Sequence, residues 1–110
     1  MALINQKTVT AKKGKGEIII SHLLTPVELS DKCAMFAKVT IPVGASIGEH
    51  FHKGNTETYH ILQGEALYND NGVDKKIGVG ATTFCPDGEK HGIENIGNED
   101  LIFIALIINS

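Results

Sequence analysis

The chain contains no arginine and no tryptophan among its 110 residues. Arginine is the side chain that most often binds carboxylate and phosphate groups through paired hydrogen bonds. A site for phosphorylated sugars or 2-oxo acids would therefore have to rely on lysine and backbone amides, which disfavours such ligands. The net charge of −3 also disfavours nucleic acid as a partner, because nucleic acids bind to a concentrated basic face.

Cysteines and long apolar runs are also scarce. Cys33 and Cys85 match neither a zinc-binding spacing nor a disulfide framework, and each lies in an apolar run typical of a small buried hydrophobe. The longest apolar run, residues 101–108, is too short to cross a bilayer, and the N-terminus lacks the apolar core of a signal peptide. We therefore expect a cytoplasmic protein with no membrane partner.

Length and composition indicate one globular domain over residues 1–110. The hydrophobic fraction is 42%, and no internal repeat or low-complexity linker divides the chain. Four of the ten lysines crowd residues 7–15. We predict that residues 1–16 form a mobile, solvated arm rather than a binding patch.

The pattern along the chain is typical of β-structure, with short β-branched or aromatic runs separated by Gly, Asn, Asp and Pro. It predicts strands at 17–24, 33–41, 49–52, 57–62, 65–70, 75–79, 81–85, 92–96 and 101–108. Asn71-Gly72 predicts a two-residue hairpin turn, and only residues 25–32 suit a helix, of one or two turns. Short strands at even spacing predict an all-β sandwich or barrel.

The last predicted strand, residues 101–108, is apolar on both of its faces. One face can line the core, but the other needs a cover as well. We expect a second copy of the chain to supply that cover, which makes the protein a homodimer. The alternative is that the N-terminal segment folds back over this strand.

Three histidines and a glutamate lie close together in the middle of the chain. On a strand, His50 and His52 point to the same face, and a turn at residues 53–56 returns Glu57 beside them. His60 has the opposite strand parity to Glu57, so it is expected to point away. A lone His-x-His pair is often an incidental surface feature, so this stretch alone leaves a metal site unproven.

Two spaced motifs identify a family resemblance. Residues 44–64 have the form G(x)5HxH(x)4E(x)6G, and residues 80–95 have the form G(x)5PxGxxHxxxN, with every fixed position present. The chain resembles the small single-domain cupins over essentially its whole length. The resemblance implies a jelly-roll barrel, also called a double-stranded β-helix. It also implies that His50, His52, Glu57 and His91 bind one divalent transition metal ion, which would be Fe, Mn, Ni, Co or Zn.

The resemblance leaves the reaction open. Our leading hypothesis is a mononuclear metalloenzyme, a metal-dependent dioxygenase or isomerase, that acts on a small organic molecule. The alternative is a non-catalytic module that binds or senses such a molecule.

Three further polar residues remain unassigned at this stage. Tyr59 shares the parity of Glu57, so it either lines the substrate pocket with its hydroxyl or packs in the core with the hydroxyl bonded to backbone. The direction of Lys38, which lies within an apolar strand, depends on a register that the sequence leaves open. His22 lies in an early strand, far from either motif.

Overall fold

The computed structural model describes residues 3–110, which form two facing sheets and one short helix. The elements are β1 (Lys7–Ala11), β2 (Ile18–His22), α1 (Pro26–Leu29), β3 (Cys33–Ile41), β4 (Ser46–Phe51), β5 (Asn55–Gln63), β6 (Ala66–Asp70), β7 (Val73–Ile77), β8 (Thr82–Cys85), β9 (Lys90–Asn95) and β10 (Leu101–Asn109). Every predicted strand is present, with ends that differ from the prediction by at most three residues. The helix begins at Pro26 after the N-cap residue Thr25 and lasts one turn.

The strands form a jelly-roll barrel, as predicted. The larger sheet has the order β1-β2-β3-β10-β5-β8 and the smaller sheet the order β4-β9-β6-β7. All of the paired strands are antiparallel. Within residues 3–110 no helix has the length and apolarity needed to span a membrane.

Strand β1 was missed by the sequence analysis. It pairs with β2 at the edge of the larger sheet, and its Val9 and Ala11 are partly buried. Lysines surround this short strand, so the segment has a charged composition that is typical of a solvated arm. The alternation of inward and outward side chains in the strand is therefore hard to recognise in the sequence. The mobility predicted for residues 1–16 stays a prediction, although part of this segment is a strand.

The hydrophobic core lies between the sheets around the first half of β10. Leu101, Phe103 and Ala105 alternate along that strand and are fully buried. They pack with Ile41 of β3 and Ile61 of β5, which are equally inaccessible. Burying side chains of this size stabilises the fold by about 1.5–3 kcal/mol each.

Three residues with positive φ angles show why glycine or asparagine is needed at certain turn and motif positions. Asn71 and Gly72 have φ angles of 53° and 89°, which confirms the predicted hairpin turn between β6 and β7. Gly64, the last residue of the first motif, has a φ of +92°, and a Cβ there would lie 3.0 Å from the carbonyl oxygen of Asp100. A side chain at Gly64 would therefore be strained and would push against the start of β10.

The last residue of the second motif, Asn95, has a structural role. Its buried side chain donates hydrogen bonds to the carbonyl oxygens of Ile41 and Glu99, both at 2.8 Å, and accepts one from the amide of Gly97 at 2.9 Å. These bonds join the end of β9 to the end of β3 and to the loop that precedes β10. Asn95 thus holds the closed end of the barrel.

The outer face of β10 lies in the middle of the larger sheet. Ile102, Ile104 and Leu106 point outward there and are partly exposed in the single chain. Strand β1 extends the sheet at its edge instead of covering β10, so the alternative cover by the N-terminal segment is wrong for residues 7–11. Lys38 pairs with Ile104 and is exposed, so its side chain points away from the barrel interior.

Candidate metal centre

Three histidines and one glutamate converge between the two sheets. His50 lies in β4 and His52 just beyond the end of that strand, while His91 lies in β9 directly opposite His50. Glu57 reaches the same point from β5 of the other sheet. One ligand atom from each of the four residues lies within 4.8 Å of the others. We call these four residues the His/Glu cluster.

The spacing of the cluster atoms fits one shared ion. Oε1 of Glu57 lies 3.0 Å from Nε2 of His52 and 2.9 Å from Nε2 of His91, and those two nitrogens are 3.1 Å apart. Nε2 of His50 is more distant, at 3.6 Å from the same oxygen. Ligand atoms about 2.1 Å from a common ion are about 3.0 Å apart at octahedral angles and about 3.4 Å apart at tetrahedral angles.

Hydrogen bonds at the outer ring nitrogens fix two of the histidine rings. Nδ1 of His50 donates to the carbonyl oxygen of Gly48 at 2.8 Å, and Nδ1 of His52 donates to the amide oxygen of Asn55 at 2.6 Å. A neutral imidazole protonated at Nδ1 presents a lone pair at Nε2. Both rings therefore aim a metal-ligating atom at the centre of the cluster.

The third ring is held by a tyrosine that the sequence analysis missed. Nδ1 of the fully buried His91 lies 2.8 Å from the hydroxyl oxygen of Tyr68, which is itself 4% exposed. Tyr68 lies on β6, which pairs with β9, so the contact depends on a register between strands that are distant in the sequence. Three imidazole nitrogens and a carboxylate oxygen thus face one point, and the four residues could hold a metal ion there.

The charges in the cluster suit a metal ligand set. Burial of Glu57 opposes its ionisation, but its contacts with His50 and His91 outweigh burial and lower its pKa to about 2. The same contact with Glu57 raises the pKa of His50 against the effect of burial, which favours the protonated ring in the metal-free protein, so His50 has to lose this proton to bind a metal ion. Burial lowers the pKa of His91, which favours its neutral form. An ionised carboxylate and neutral imidazoles are the forms that bind divalent transition metals.

A cavity of about 590 Å³ opens beside the cluster. His50, His52 and Glu57 form part of its lining, and the larger sheet forms an apolar wall that includes Ile20 and Met35. The volume falls within the range of small-molecule sites, about 300–1,000 Å³.

Tyr59 contributes to both the cavity wall and the core. It lines the cavity and is only 1% exposed, and its ring stacks on His91 with centroids 4.9 Å apart and an interplanar angle of 18°. The Tyr59 ring also packs on Phe103, at 4.5 Å between centroids. Burial, reinforced by the nearby charge of Glu57, raises the pKa of Tyr59 well above its usual value. Its hydroxyl therefore stays protonated at neutral pH.

The two histidines outside the cluster, His60 and His22, lie on opposite faces of the larger sheet. His60 is exposed on the outer face, where its Nδ1 lies 2.8 Å from the Thr82 hydroxyl. The sequence analysis left His22 unassigned and placed Lys13 in a solvated arm, but both line the cavity. Lys13 is positioned by its carbonyl oxygen, which accepts a hydrogen bond from the amide of Gly48 at 2.8 Å.

The cysteines are not part of the cluster. Both are free thiols; Cys85 is buried and Cys33 is partly buried. Burial raises the pKa of Cys85 to about 11, so this thiol is protonated at neutral pH and unreactive.

Comparison with known proteins identifies similar chains. A family model described as "Cupin domain" matches residues 37–107. An oxalate-binding protein of Thermotoga maritima is 46% identical over 95 residues, which cover 86% of this chain and 78% of that protein. The crystal structure of a predicted oxalate decarboxylase from the same organism has a TM-score of 0.89 at 42% identity and covers 97% of this chain and 94% of that chain. The cupin domain of Schizosaccharomyces pombe Cnp3 has a TM-score of 0.77 at 16% identity, covers 97% of this chain and 89% of that one, and supports the fold alone.

Proposed function

This chain belongs to the cupin family, and we propose that its His/Glu cluster holds one divalent transition metal ion, which binds a small organic ligand. One observation carries the proposal. Two Nε2 atoms and a carboxylate oxygen lie 2.9–3.1 Å apart, and the Nδ1 atoms of His50 and His52 are committed to other acceptors. Fe, Mn, Co, Ni and Zn all suit three imidazoles and one carboxylate.

We propose a small chelating carboxylate as the ligand, with oxalate as the reference compound. The support is the relative from Thermotoga maritima that is named an oxalate-binding protein. The absence of arginine disfavours carboxylates, 2-oxo acids included, at a site that has only lysine and backbone amides, but a bound metal ion would supply the positive charge instead. Lys13 lines the same cavity and adds a second positive charge near the cluster.

The chain's own residues would orient the ligand and limit its access to water. When bound, the metal ion supplies Lewis acidity toward ligand oxygens or, for a redox-active metal, activates dioxygen. The protonated hydroxyl of Tyr59 is available as a hydrogen-bond donor at the cavity wall. The apolar side chains of the larger sheet exclude water around the ligand, which strengthens polar contacts at the cluster.

Catalysis at the same centre is the second candidate function, as a metal-dependent dioxygenase or isomerase. Four protein ligands leave two positions on a six-coordinate ion, and Tyr59 beside the cluster carries an exchangeable proton. Oxygen consumption and product analysis over a panel of diketones, thiols, catechols and sugars separate this candidate from binding alone. Turnover of any of these compounds that is lost with the metal would favour the enzyme.

The decisive experiment measures metal content and ligand binding together. We expect elemental analysis of protein purified without chelator to find about one transition metal ion per chain. His52→Ala should lose the ion and keep the β-sheet circular dichroism spectrum, while His60→Ala, which changes an outward-facing histidine, should retain it. Oxalate should bind to the metal-loaded protein and not to the metal-free protein in calorimetric titration. Absence of metal even after reconstitution would contradict the proposal.

We also propose that the chain forms a homodimer through the outer face of the larger sheet. The partly exposed Ile102, Ile104 and Leu106 support this, together with Phe84 on the same face, which is 58% exposed. Contiguous apolar patches on a protein surface often mark sites of protein–protein contact. Analytical ultracentrifugation at micromolar concentration tests the assembly. Cytoplasmic localisation and the absence of nucleic acid and membrane partners stay predictions from composition.

A further inference from the structure

The cavity beside the His/Glu cluster is much larger than oxalate requires. Its volume of about 590 Å³ equals the share of about twenty water molecules at roughly 30 Å³ each. Oxalate consists of two joined carboxylates and would fill only the part of this space next to the cluster. The remaining space is therefore available to a larger molecule.

The wall of this remaining space is made of hydrocarbon. Val9, Ile20, Met35 and Ile107 all line it, and each stays partly exposed although it lies inside the barrel. Outside the cluster, the titratable side chains that line the cavity in residues 3–110 are Lys13, His22, Glu49 and Tyr59. An apolar wall that the fold itself leaves open gains most from contact with an apolar ligand.

The apolar wall extends in one direction from the cluster. Glu57 in β5 lies opposite Ile107 in β10, which lies opposite Met35 in β3. Farther along β3, Val39 pairs with Ile20 of β2, which pairs with Val9 of β1. From β5 to β1 this is four strand spacings, or about 19 Å at roughly 4.8 Å per strand. The cluster and the apolar positions on β2 and β1 are thus separated across the sheet, and His22, two residues from Ile20 on β2, is a polar side chain within this part of the wall.

We infer that the cavity binds a carboxylate with an apolar body, specifically a 2-oxo acid that carries an alkyl chain. This inference rests on the metal-dependent binding proposed above. Replacing one carboxylate of oxalate with an acyl group keeps two adjacent oxygens for chelation at the cluster. The alkyl chain then lies over the wall that runs from Ile107 toward Ile20.

A series of 2-oxo acids of increasing length tests the inference on the full chain, loaded with the metal ion that elemental analysis identifies. Calorimetric Kd values are compared for oxalate, pyruvate, 2-oxobutanoate, 2-oxohexanoate and 2-oxooctanoate. We expect Kd to fall by about fourfold for each added methylene that is buried. Octanoate, which lacks the 2-oxo group, should bind far more weakly than 2-oxooctanoate.

A matched pair of variants on strand β2 tests where the alkyl chain of the ligand lies. Ile20→Thr adds a hydroxyl to the cavity wall and should reduce the gain in affinity with alkyl-chain length, with metal content unchanged. Ile19→Thr makes the same change on the opposite face of β2, outside the cavity lining, and should leave the whole series unchanged.

The outcomes separate the inference from the proposed function. If oxalate and pyruvate bind only to the metal-loaded protein but Kd does not fall as the alkyl chain lengthens, the proposed function stands. The inference that the apolar wall binds an alkyl chain is then wrong. If octanoate binds as tightly as 2-oxooctanoate, the inference that the ligand chelates the metal through its 2-oxo and carboxylate oxygens is wrong. If none of these acids binds to the metal-loaded protein, both the proposed ligand class and this inference are wrong.

Discussion

Replacing Tyr68 with phenylalanine is expected to weaken metal binding while leaving the core filled. The Tyr68 ring is buried and lies edge-on to Tyr59, with centroids 6.3 Å apart. Phenylalanine keeps that ring and removes only the hydroxyl, which lies 2.8 Å from Nδ1 of His91. The substitution therefore tests one contact, the one that orients the deepest histidine of the cluster.

The size of the effect follows from what the hydroxyl does. Loss of a partner that orients a metal-binding histidine typically weakens metal affinity by about 10–100-fold, or about 1.4–2.7 kcal/mol. His91 is fully buried, so its Nδ1 has no access to water as a substitute hydrogen-bond partner. An unsatisfied buried polar atom costs about 1–3 kcal/mol, so the Tm of the metal-free variant should fall by at least about 4 °C.

Competition with a chromophoric chelator at neutral pH measures the metal Kd, and calorimetry of the metal-free protein measures its Tm. His60→Gln serves as the control, because this exposed histidine points away from the cluster. A Kd for Tyr68→Phe within twofold of the unmodified protein would refute the reasoning. A lower Tm with an unchanged Kd would mean that Tyr68 stabilises the barrel and does not orient His91 for metal binding.

Three further predictions concern the charge of the cluster, backbone packing and assembly. Because its pKa is lowered to about 2, Glu57 stabilises the metal-free fold above the ordinary carboxyl pKa near 4.3 and loses that contribution as the pH falls toward 2. His50, whose pKa is raised, contributes fully to the stability of the metal-free fold below about pH 6.5 and loses this contribution as the pH rises through its folded value. Metal binding requires the neutral ring, so the increase in Tm on adding metal should grow between about pH 5.5 and pH 7.5 in calorimetry. An increase in Tm that is constant with pH would contradict this. Gly92→Ala places a Cβ 3.0–3.1 Å from backbone atoms of residues 47–49 and should lower the free energy of unfolding by about 1–3 kcal/mol in urea titration, whereas an unchanged midpoint would mean that β4 moves freely. Leu106→Lys introduces a charge at the outer face of β10 and should shift the sedimentation coefficient to that of a monomer, and a persistent dimer would place the interface elsewhere.

The strands were readable from the sequence because alternation and turn residues are local signals. Asn71-Gly72 marks its hairpin through the positive φ angles that both residues adopt. Strand β10 is apolar throughout, and its central place in the larger sheet explains this pattern. Strand β1 escaped detection because an edge strand needs only a few inward side chains, here Val9 and Ala11, and lysines around them dominate the local composition.

The cluster could be predicted from the sequence only through the two spaced motifs. The residues that surround the cluster could not be predicted in this way. His50 and His91 are 41 positions apart in the sequence and meet because β4 pairs with β9. Tyr68 and Lys13 belong to no motif, and their places beside the cluster depend on pairings of β6 with β9 and of residue 13 with β4. Periodicity within a strand gives the face on which a side chain lies, but not the strand that faces it.

The central position of β10 determines when during synthesis the cluster can form. In the larger sheet, strand β5, which carries Glu57, is joined to β3 only through β10 (Leu101–Asn109), which follows both of them in the sequence. Strands β3 and β5 therefore have no sheet contact with each other while the ribosome is still completing the domain. The barrel has to close late, through contacts between residues far apart in the sequence, which is a slow route to folding. Glu57 can therefore join the three histidines of the cluster only after β10 has been synthesised.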